Sequence, residues 1–339
     1  MGPIAMFGKA GFSCISFTTS GPRAENQDYY ALARWQSGER NAFLLYGKDE
    51  NNLSSSRIKV GEGTAVITLD TPPRNPGLNI DTTNRNNTGT EDIPNPIMIL
   101  AVADGLGGQE GGKIAGEVGC RTAVKTCLLS LIEASMRTHE RSGNKNSDKD
   151  EGSKDSMSEI RNSIGTETGG VKENIIYPIL EKAFAEAASE VKKNGPKGCG
   201  TTLVMAVIYN GILYIAHVGD SRAYVIDGER VVYTTKDHTF VQKLLDMGAL
   251  DPAEALVHPR RNMLLRALGG EKETPDLKMI DDDWDCLILC SDGIINGLGE
   301  KSILEVCKVR EEEMPAFVKR MGEVADDNAT LIRLNKNGL

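Results

Sequence analysis

Four times along this chain an apolar run meets an aspartate at a tight turn. Ile97–Ala103 leads into Asp104-Gly105, Ile212–Val218 into Gly219-Asp220, and Leu287–Cys290 into Ser291-Asp292-Gly293; Asp327-Asn328 opens the last apolar run. Taken singly, such an aspartate is an ordinary turn residue. At the mouth of a buried strand, however, a carboxylate is costly to desolvate unless it is paired or bound to a cation. Four such sites together point to carboxylates that converge. That donor set suits hard divalent cations such as Mg2+ or Mn2+, which prefer oxygen ligands and retain waters.

The rest of the chain is that of an ordinary soluble protein. It has 339 residues, 40% apolar and 26% charged, enough for one large domain or two ordinary ones with a real core. With 39 basic against 48 acidic residues the net charge is −9, so no nucleic-acid partner is expected, because that binding rests on basic neutralisation of phosphates. The longest purely apolar run is about seven residues, Ile97–Ala103, far short of a membrane span. Met1-Gly2 begins like a myristoylation signal, but Met6 stands where Ser or Thr is needed, and no signal peptide is evident. The seven cysteines are odd in number and have no C-x-x-C spacing. They read as small buried thiols, Cys286 and Cys290 among them, rather than as a disulfide framework or zinc knuckle. A cytoplasmic location follows as the expectation.

Residues 47–96, rich in Asn, Thr, Gly and Pro, and residues 136–170, rich in Ser, Lys, Asp and Glu, contain no aromatic residue. They read as inserts in a single domain spanning 1–339, since the motifs fall on every side of them. The second, from Met136, has little to bury and is expected to be a loop. The first holds Arg57-Ile-Lys-Val and Thr64-Ala-Val-Ile-Thr-Leu, a candidate hairpin. Helical periodicity predicts helices over about 111–136 and 173–193, the latter starting late enough to tolerate Pro178. Asn210-Gly211 and Asp227-Gly228 mark two hairpins. Short helices at 239–247 and 252–257, a strand at 286–290, helices at 300–308 and 311–324 and a strand at 328–334 complete the reading. Hairpins and helices in blocks argue for α+β layers.

Rival chemistries fare worse. Gly107-Gly-Gln-Glu-Gly-Gly112-Lys113 has the spacing of a phosphate loop, but Ile114 stands where Mg2+ needs Ser or Thr, and Asp104 and Glu110 would repel a triphosphate. No G-x-S-x-G occurs, and the chain has only four histidines. Arg23-Ala-Glu-Asn-Gln-Asp28 supplies what an acidic cluster lacks: a guanidinium that can clasp a phosphate bidentately, and a carboxylate that can orient a metal-bound water.

In order, Arg23-x-x-Asn-Gln-Asp28, Val102-Ala-Asp104-Gly-Leu-Gly-Gly108, Gly200-Thr-Thr-Leu203, Val218-Gly-Asp-Ser-Arg-Ala-Tyr224, Asp237-His-Thr239, His258-Pro259, Leu264-Leu-Arg-Ala-Leu-Gly269, Leu289-Cys-Ser-Asp292-Gly293 and Asp327-Asn-Ala-Thr330 resemble the metal-dependent Ser/Thr protein phosphatases of the PPM/PP2C type, prokaryotic-like in pattern. The resemblance covers nearly the whole chain outside the inserts. It implies a four-layer αββα sandwich, with two packed, mainly antiparallel sheets flanked by helices and metals at one edge between them. It also implies two Mn2+ or Mg2+ ions: Asp104 would bridge them, the Gly105 carbonyl would bind one, and Asp292 and Asp327 would complete the other. Asp220, with Asp292, would hold a third, weaker ion. Arg23 would bind the substrate phosphate and Asp28 would hydrogen-bond metal waters, with Gln27 and Asn328 around them. Catalysis would rest on Arg23, Asp28, Asp104 and Asp292.

The implied reaction is hydrolysis of phosphoserine and phosphothreonine in proteins that a Ser/Thr kinase has modified. A hydroxide shared by two ions about 3.5–4 Å apart attacks phosphorus in line. Two departures matter. Gln27 replaces a common Glu, which would alter metal affinity, and Leu106 stands where many eukaryotic members carry a His that protonates the leaving alcohol. Here a water or another group must do that work; His238 and His258 are candidates, although a structural role is the favoured reading of each. Met247–Arg261 looks like the mobile flap beside the site in prokaryotic relatives. A phosphoprotein-binding relative with weak catalysis, or a phosphatase acting on a small metabolite, are the other classes.

Overall fold

The computed structural model describes residues 12–36, 39, 41–47, 54–61, 64–68, 96–143, 170–299 and 302–336. Strands β1 (Phe12–Thr19), β2 (Asp28–Trp35), β3 (Asn41–Gly47), β4 (Ser54–Gly61), β5 (Thr64–Thr68) and β6 (Ile97–Leu106) precede helices α1 (Gln109–Gly143) and α2 (Gly170–Asn194). Next come β7 (Gly200–Thr201), β8 (Leu203–Tyr209), β9 (Ile212–Val218), β10 (Arg222–Asp227), β11 (Arg230–Thr234), α3 (Phe240–Asp246) and α4 (Pro252–Val257). The chain closes with β12 (Asp276–Ile280), β13 (Cys286–Cys290), α5 (Asp292–Leu298), α6 (Ile303–Lys308), α7 (Met314–Val324) and β14 (Ala329–Lys336).

The strands form two antiparallel sheets. One runs β1-β14-β13-β10-β11; the other runs β12-β9-β8-β6-β2-β3-β4-β5, with β7 pairing β6. Alternation along the strands produces the layers, because successive side chains point to opposite faces. On β2, Tyr29, Ala31, Ala33 and Trp35 pack under α1 and α2, while Tyr30 and Leu32 face the other sheet. On β13, Leu287 and Leu289 point into the space between the sheets, and Cys286, Ile288 and Cys290 pack under α5–α7. The fold is thus helix, sheet, sheet, helix, as the resemblance implies.

Differences from the sequence reading have identifiable causes. The first helix runs from Gln109 to Gly143 and the second starts at Gly170, so α1 continues past Met136 where a loop was expected, and Pro178 lies inside α2. The expected hairpin in the first insert forms as β4–β5; residues 69–95 and 144–169 of the two inserts, and Met1, Gly2 and Met6, lie outside the described residues. The single helix expected at 300–308 is preceded by another, α5, that starts at Asp292 itself. Strands β1–β3 and β12 were not anticipated. The cysteine expectation needs one correction: Cys286 and Cys307 form a disulfide, with Cα atoms 6.3 Å apart, a separation that suits a bridge. The bridge joins β13 to α6 across 21 residues of sequence, a tertiary contact that no local spacing announces. The other five cysteines are buried free thiols.

Candidate metal centre

Backbone pairing brings the first two carboxylates together, since Asp28 and Asp104 are direct partners in the antiparallel register of β2 and β6. Asp104 stands near the end of β6, Asp220 two residues after β9, Asp292 two residues after β13, and Asp327 two residues before β14. Each therefore sits at a strand terminus, where the chain leaves the sheet. Gly105 has to be a glycine, because a Cβ there would overlap the Gly112 carbonyl of α1.

Threonine and serine hydroxyls lock this geometry. Thr202 donates its N–H to the Asp104 carbonyl (2.8 Å), and its Oγ1 accepts from Asp104 N–H (2.9 Å). The same Oγ1 lies 2.6 Å from Ser221 Oγ, beside Asp220. Ser291 Oγ donates to Asp28 Oδ2 (2.6 Å) and accepts from Thr330 N–H (2.9 Å). Asn328 ties the Arg23 loop to the strand: its Nδ2 donates to the Ser20 and Glu25 carbonyls (3.0 and 3.1 Å), and its Oδ1 accepts from Gln27 N–H (2.8 Å). Arg23, 59% exposed, donates from Nη2 to Asp327 Oδ2 at 2.7 Å.

The electrostatics show convergence. Burial, followed by repulsion from Asp28, Asp292, Asp220 and Asp327, pushes the Asp104 carboxyl well above the usual carboxylate range. Burial and then Asp292 and Asp237 raise Asp220. Burial and then Asp327 raise Asp292. Asp28 is raised by burial, partly offset by hydrogen bonds from Ser291 and Thr330. Asp28 Oδ1 is buried and has no partner among the described residues. Acidic oxygens that repel one another, one of them orphaned, fit hard divalent cations and little else.

Beside this edge lies a groove of about 780 Å³. Asp220 and Asp292 line it together with Leu245 of α3 and with Ala255 and Leu256 of α4, within the segment Met247–Arg261. This segment holds α4, capped by Asp251 and Glu254, and leaves Met247, Leu256 and Val257 largely exposed. His238 and His258 are held in structural hydrogen bonds, His258 Nδ1 accepting from Arg260 N–H. The carboxylates anticipated from sequence lie at this edge near enough for their charges to act on one another, and Arg23, Gln27 and Asn328 are tied to the same edge. Ser291 and Thr202 have no role in the sequence reading, because their partners lie across strands: the Ser291 hydroxyl reaches the Asp28 carboxylate and the Thr202 hydroxyl holds the Asp104 backbone N–H.

The family model for protein phosphatase 2C matches residues 87–335. The chain belongs to the protein phosphatase 2C family. Among relatives, the serine/threonine phosphatase stp of Listeria innocua serovar 6a is 31% identical over 265 residues, covering 75% of this chain and 90% of the relative. The serine/threonine protein phosphatase PstP of Mycobacterium tuberculosis is 30% identical over 241 residues, covering 69% of this chain and 39% of PstP. The crystal structure of M. tuberculosis PstP/Ppp superposes with a TM-score of 0.55 at 21% identity, over 96% of this chain and 99% of that one. The PstP catalytic domain solved with two manganese ions gives a TM-score of 0.51 at 21% identity, over 96% and 97%. At these identities the solved structures bear on the fold. This family member is a serine/threonine protein phosphatase, and metal-dependent catalysis is general to the family. No helix among the described residues is long and apolar enough to cross a membrane.

Proposed function

We propose that this phosphatase hydrolyses phosphoserine and phosphothreonine in proteins at the acidic edge, with two Mn2+ or Mg2+ ions held by Asp104, the Gly105 carbonyl, Asp292 and Asp327, and a third held by Asp220 and Asp292. The observation that carries this reading is the clustering of Asp28, Asp104, Asp220 and Asp292, whose mutual repulsion raises their carboxyls, while among the described residues the salt bridge at this edge is that of Arg23 with Asp327. The manganese pair in the PstP catalytic domain supports the choice of ion. When bound, the ions supply Lewis acidity, neutralising phosphoryl charge and lowering the pKa of water.

The chain's own groups supply the rest. Arg23, on an exposed stem, presents a planar fork of donors that matches two phosphate oxygens. Asp28 Oδ1, buried and unpartnered, accepts a hydrogen bond from the attacking water, while Ser291 holds its other oxygen still. With Leu106 in place of a histidine, the leaving oxygen takes its proton from solvent. We read residues 1–339 as one phosphatase domain carrying the inserts 47–96 and 136–170, and its partners as phosphorylated proteins in the cytoplasm. The test is phosphate release from an aryl phosphate and from a phosphothreonine peptide in Mn2+, in Mg2+ and after EDTA. Metal-dependent release from both is the expected result; no release from folded protein under any metal would sink the reading.

A further inference from the structure

Asp220 reaches the acidic edge from a turn that a different residue grips. Gly219, just before it, has φ +106°, in the left-handed region, and a Cβ there would run into the Thr202 side chain. Both backbone polar groups of Gly219 are taken by His238. The Gly219 carbonyl accepts from His238 N–H at 2.9 Å, and the Gly219 N–H donates to His238 Nδ1 at 3.0 Å.

That second bond fixes the histidine tautomer. With Nδ1 accepting, the proton of the neutral ring sits on Nε2, which donates to Asp276 Oδ2 at 3.2 Å. Arg266 Nη1 donates to Asp276 Oδ1 at 2.7 Å. Arg266 Nη1 also lies 2.8 Å from His238 Nε2, so the ring, the guanidinium and the Asp276 carboxylate form one cluster. The ring is stacked on His217, with centroids 4.4 Å apart and planes 14° from parallel; His217 is itself held by Nε2–H donation to the Lys236 carbonyl at 2.9 Å. The donor atoms of His217, His238 and Asp276 lie within 4.8 Å of one another, which suggests a separate metal site. The hydrogen bonds argue against it, because both nitrogens of His238 are engaged and Arg266 already neutralises the carboxylate.

We propose that His238 is a positioning residue for Asp220: through Gly219 it sets the direction in which the Asp220 carboxylate enters the acidic edge, and Asp276 on β12 sets its tautomer. The inference rests on reading Asp220 as a ligand of the third ion. A histidine that merely filled space would be replaceable by any side chain of similar volume. One that holds Gly219 needs an acceptor where Nδ1 stands, a place that the Oδ1 of an asparagine occupies.

The experiment is Mn2+ binding by equilibrium dialysis and calorimetry on the full chain, with thermal melting to establish that each variant is folded. H238L, which keeps bulk and loses the acceptor, is expected to weaken the weakest class of Mn2+ site by about tenfold, the equivalent of one hydrogen bond. H238N is expected to stay within about threefold of the unsubstituted protein, because its acceptor survives. D220A removes that class of site, and D220A/H238L binds like D220A, as residues acting through one another do. Asp276 is half exposed, so D276N tests the relay with little risk to the fold; a smaller loss in the same class of site is expected.

Unchanged Mn2+ binding in H238L would overturn the proposal. So would equal losses in H238N and H238L, or a double variant weaker than D220A alone. If H238L fails to fold, H238N and D276N carry the test, and tenfold weakening in H238N would count against it. Full Mn2+ stoichiometry in D220A would instead remove the third-ion reading on which the inference stands, a failure separable from that of His238.

Discussion

Two groups of aspartates flank the turn at Gly219, and they behave in opposite ways. Asp28, Asp104, Asp220 and Asp292 lie close enough to repel one another, and burial and mutual charge raise all four carboxyls. Asp237 and Asp276 instead each face an arginine. Arg222 grips Asp237 with a two-pronged pair at 2.7 and 2.8 Å and also donates to Tyr224 Oη. Partial burial pushes Asp276 up, but bonds from Arg266 and His238 hold it below the usual carboxylate range. Number of acids therefore does not define a metal centre. What separates the two groups is their nearest charge: Asp237 and Asp276 are each hydrogen-bonded to an arginine, whereas the carboxyls of the other set mainly meet one another.

The largest expected effect breaks the unpaired set at its centre. Asp292→Asn removes a charge that both the paired ions and the third ion would use, and turnover should fall on the order of 10³-fold or more, since metal stabilisation of phosphoryl charge amounts to several kcal/mol. The fold should persist, because the amide retains the shape of the carboxylate. Near-normal phosphate release from this variant in excess Mn2+ would defeat the metal assignment.

The next pair of variants sets the two groups directly against each other. Asp237→Asn removes the charge that neutralises Arg222, whose side chain is 23% exposed, and should destabilise the protein by about 2–3 kcal/mol with or without Mn2+. Asp104→Asn removes a repelling charge and should raise the melting temperature of the metal-free protein by roughly 2–4 °C, the equivalent of about 1 kcal/mol in a domain of this size. Added Mn2+ should then stabilise Asp104→Asn less than the unsubstituted chain. Melting curves in EDTA and in Mn2+ check both; a lowered melting temperature for metal-free Asp104→Asn would mean that the carboxylates do not strain one another.

A smaller, graded effect concerns pH. Asp28 has its folded pKa raised to about 7, above an unfolded value near about 4. The folded state then binds more protons than the unfolded one across that window, so metal-free stability should fall as pH rises from about 4 through 7. Mn2+ should flatten the slope. A metal-free protein whose stability rises between pH 5 and 7 would contradict the picture of unpaired acids.

The candidate centre was legible in the sequence because its aspartates sit at strand ends, where an aspartate against an apolar run is conspicuous. Asp104, Asp220, Asp292 and Asp327 could be picked out that way, and Arg23 and Asp28 by the company they keep. The four layers were legible through the family resemblance but not through residue alternation. β6 and β2 are apolar on both faces because one face meets helices and the other meets a sheet, so the alternation that marks a half-buried strand is missing. The paired group was equally hidden: Asp276 lies opposite His217 only through the β12–β9 register, and nothing local to either residue announces it. The same holds for the Cys286–Cys307 bridge, which depends on α6 packing over β13.

Ser291 is where the two kinds of legibility meet, and it carries the finest test. Its place beside Asp292 is plain from sequence, but its hydroxyl serves Asp28 and the Thr330 N–H across two strands. Ser291→Ala leaves both groups short of a partner, at an expected cost of about 1–3 kcal/mol at neutral pH. The bond from Ser291 lowers the Asp28 pKa against the larger effect of burial, so its loss raises that pKa further. Because the lost bond acts on the Asp28 charge only where the folded unsubstituted chain has that carboxyl ionised, and its pKa lies at about 7, the deficit of Ser291→Ala should be smallest near pH 5 and widen as pH rises through 7. Urea melts at the two pH values in EDTA read the difference directly. A deficit independent of pH would mean that the serine acts through Thr330 alone, and that Asp28 is held by the fold rather than by its hydrogen bond.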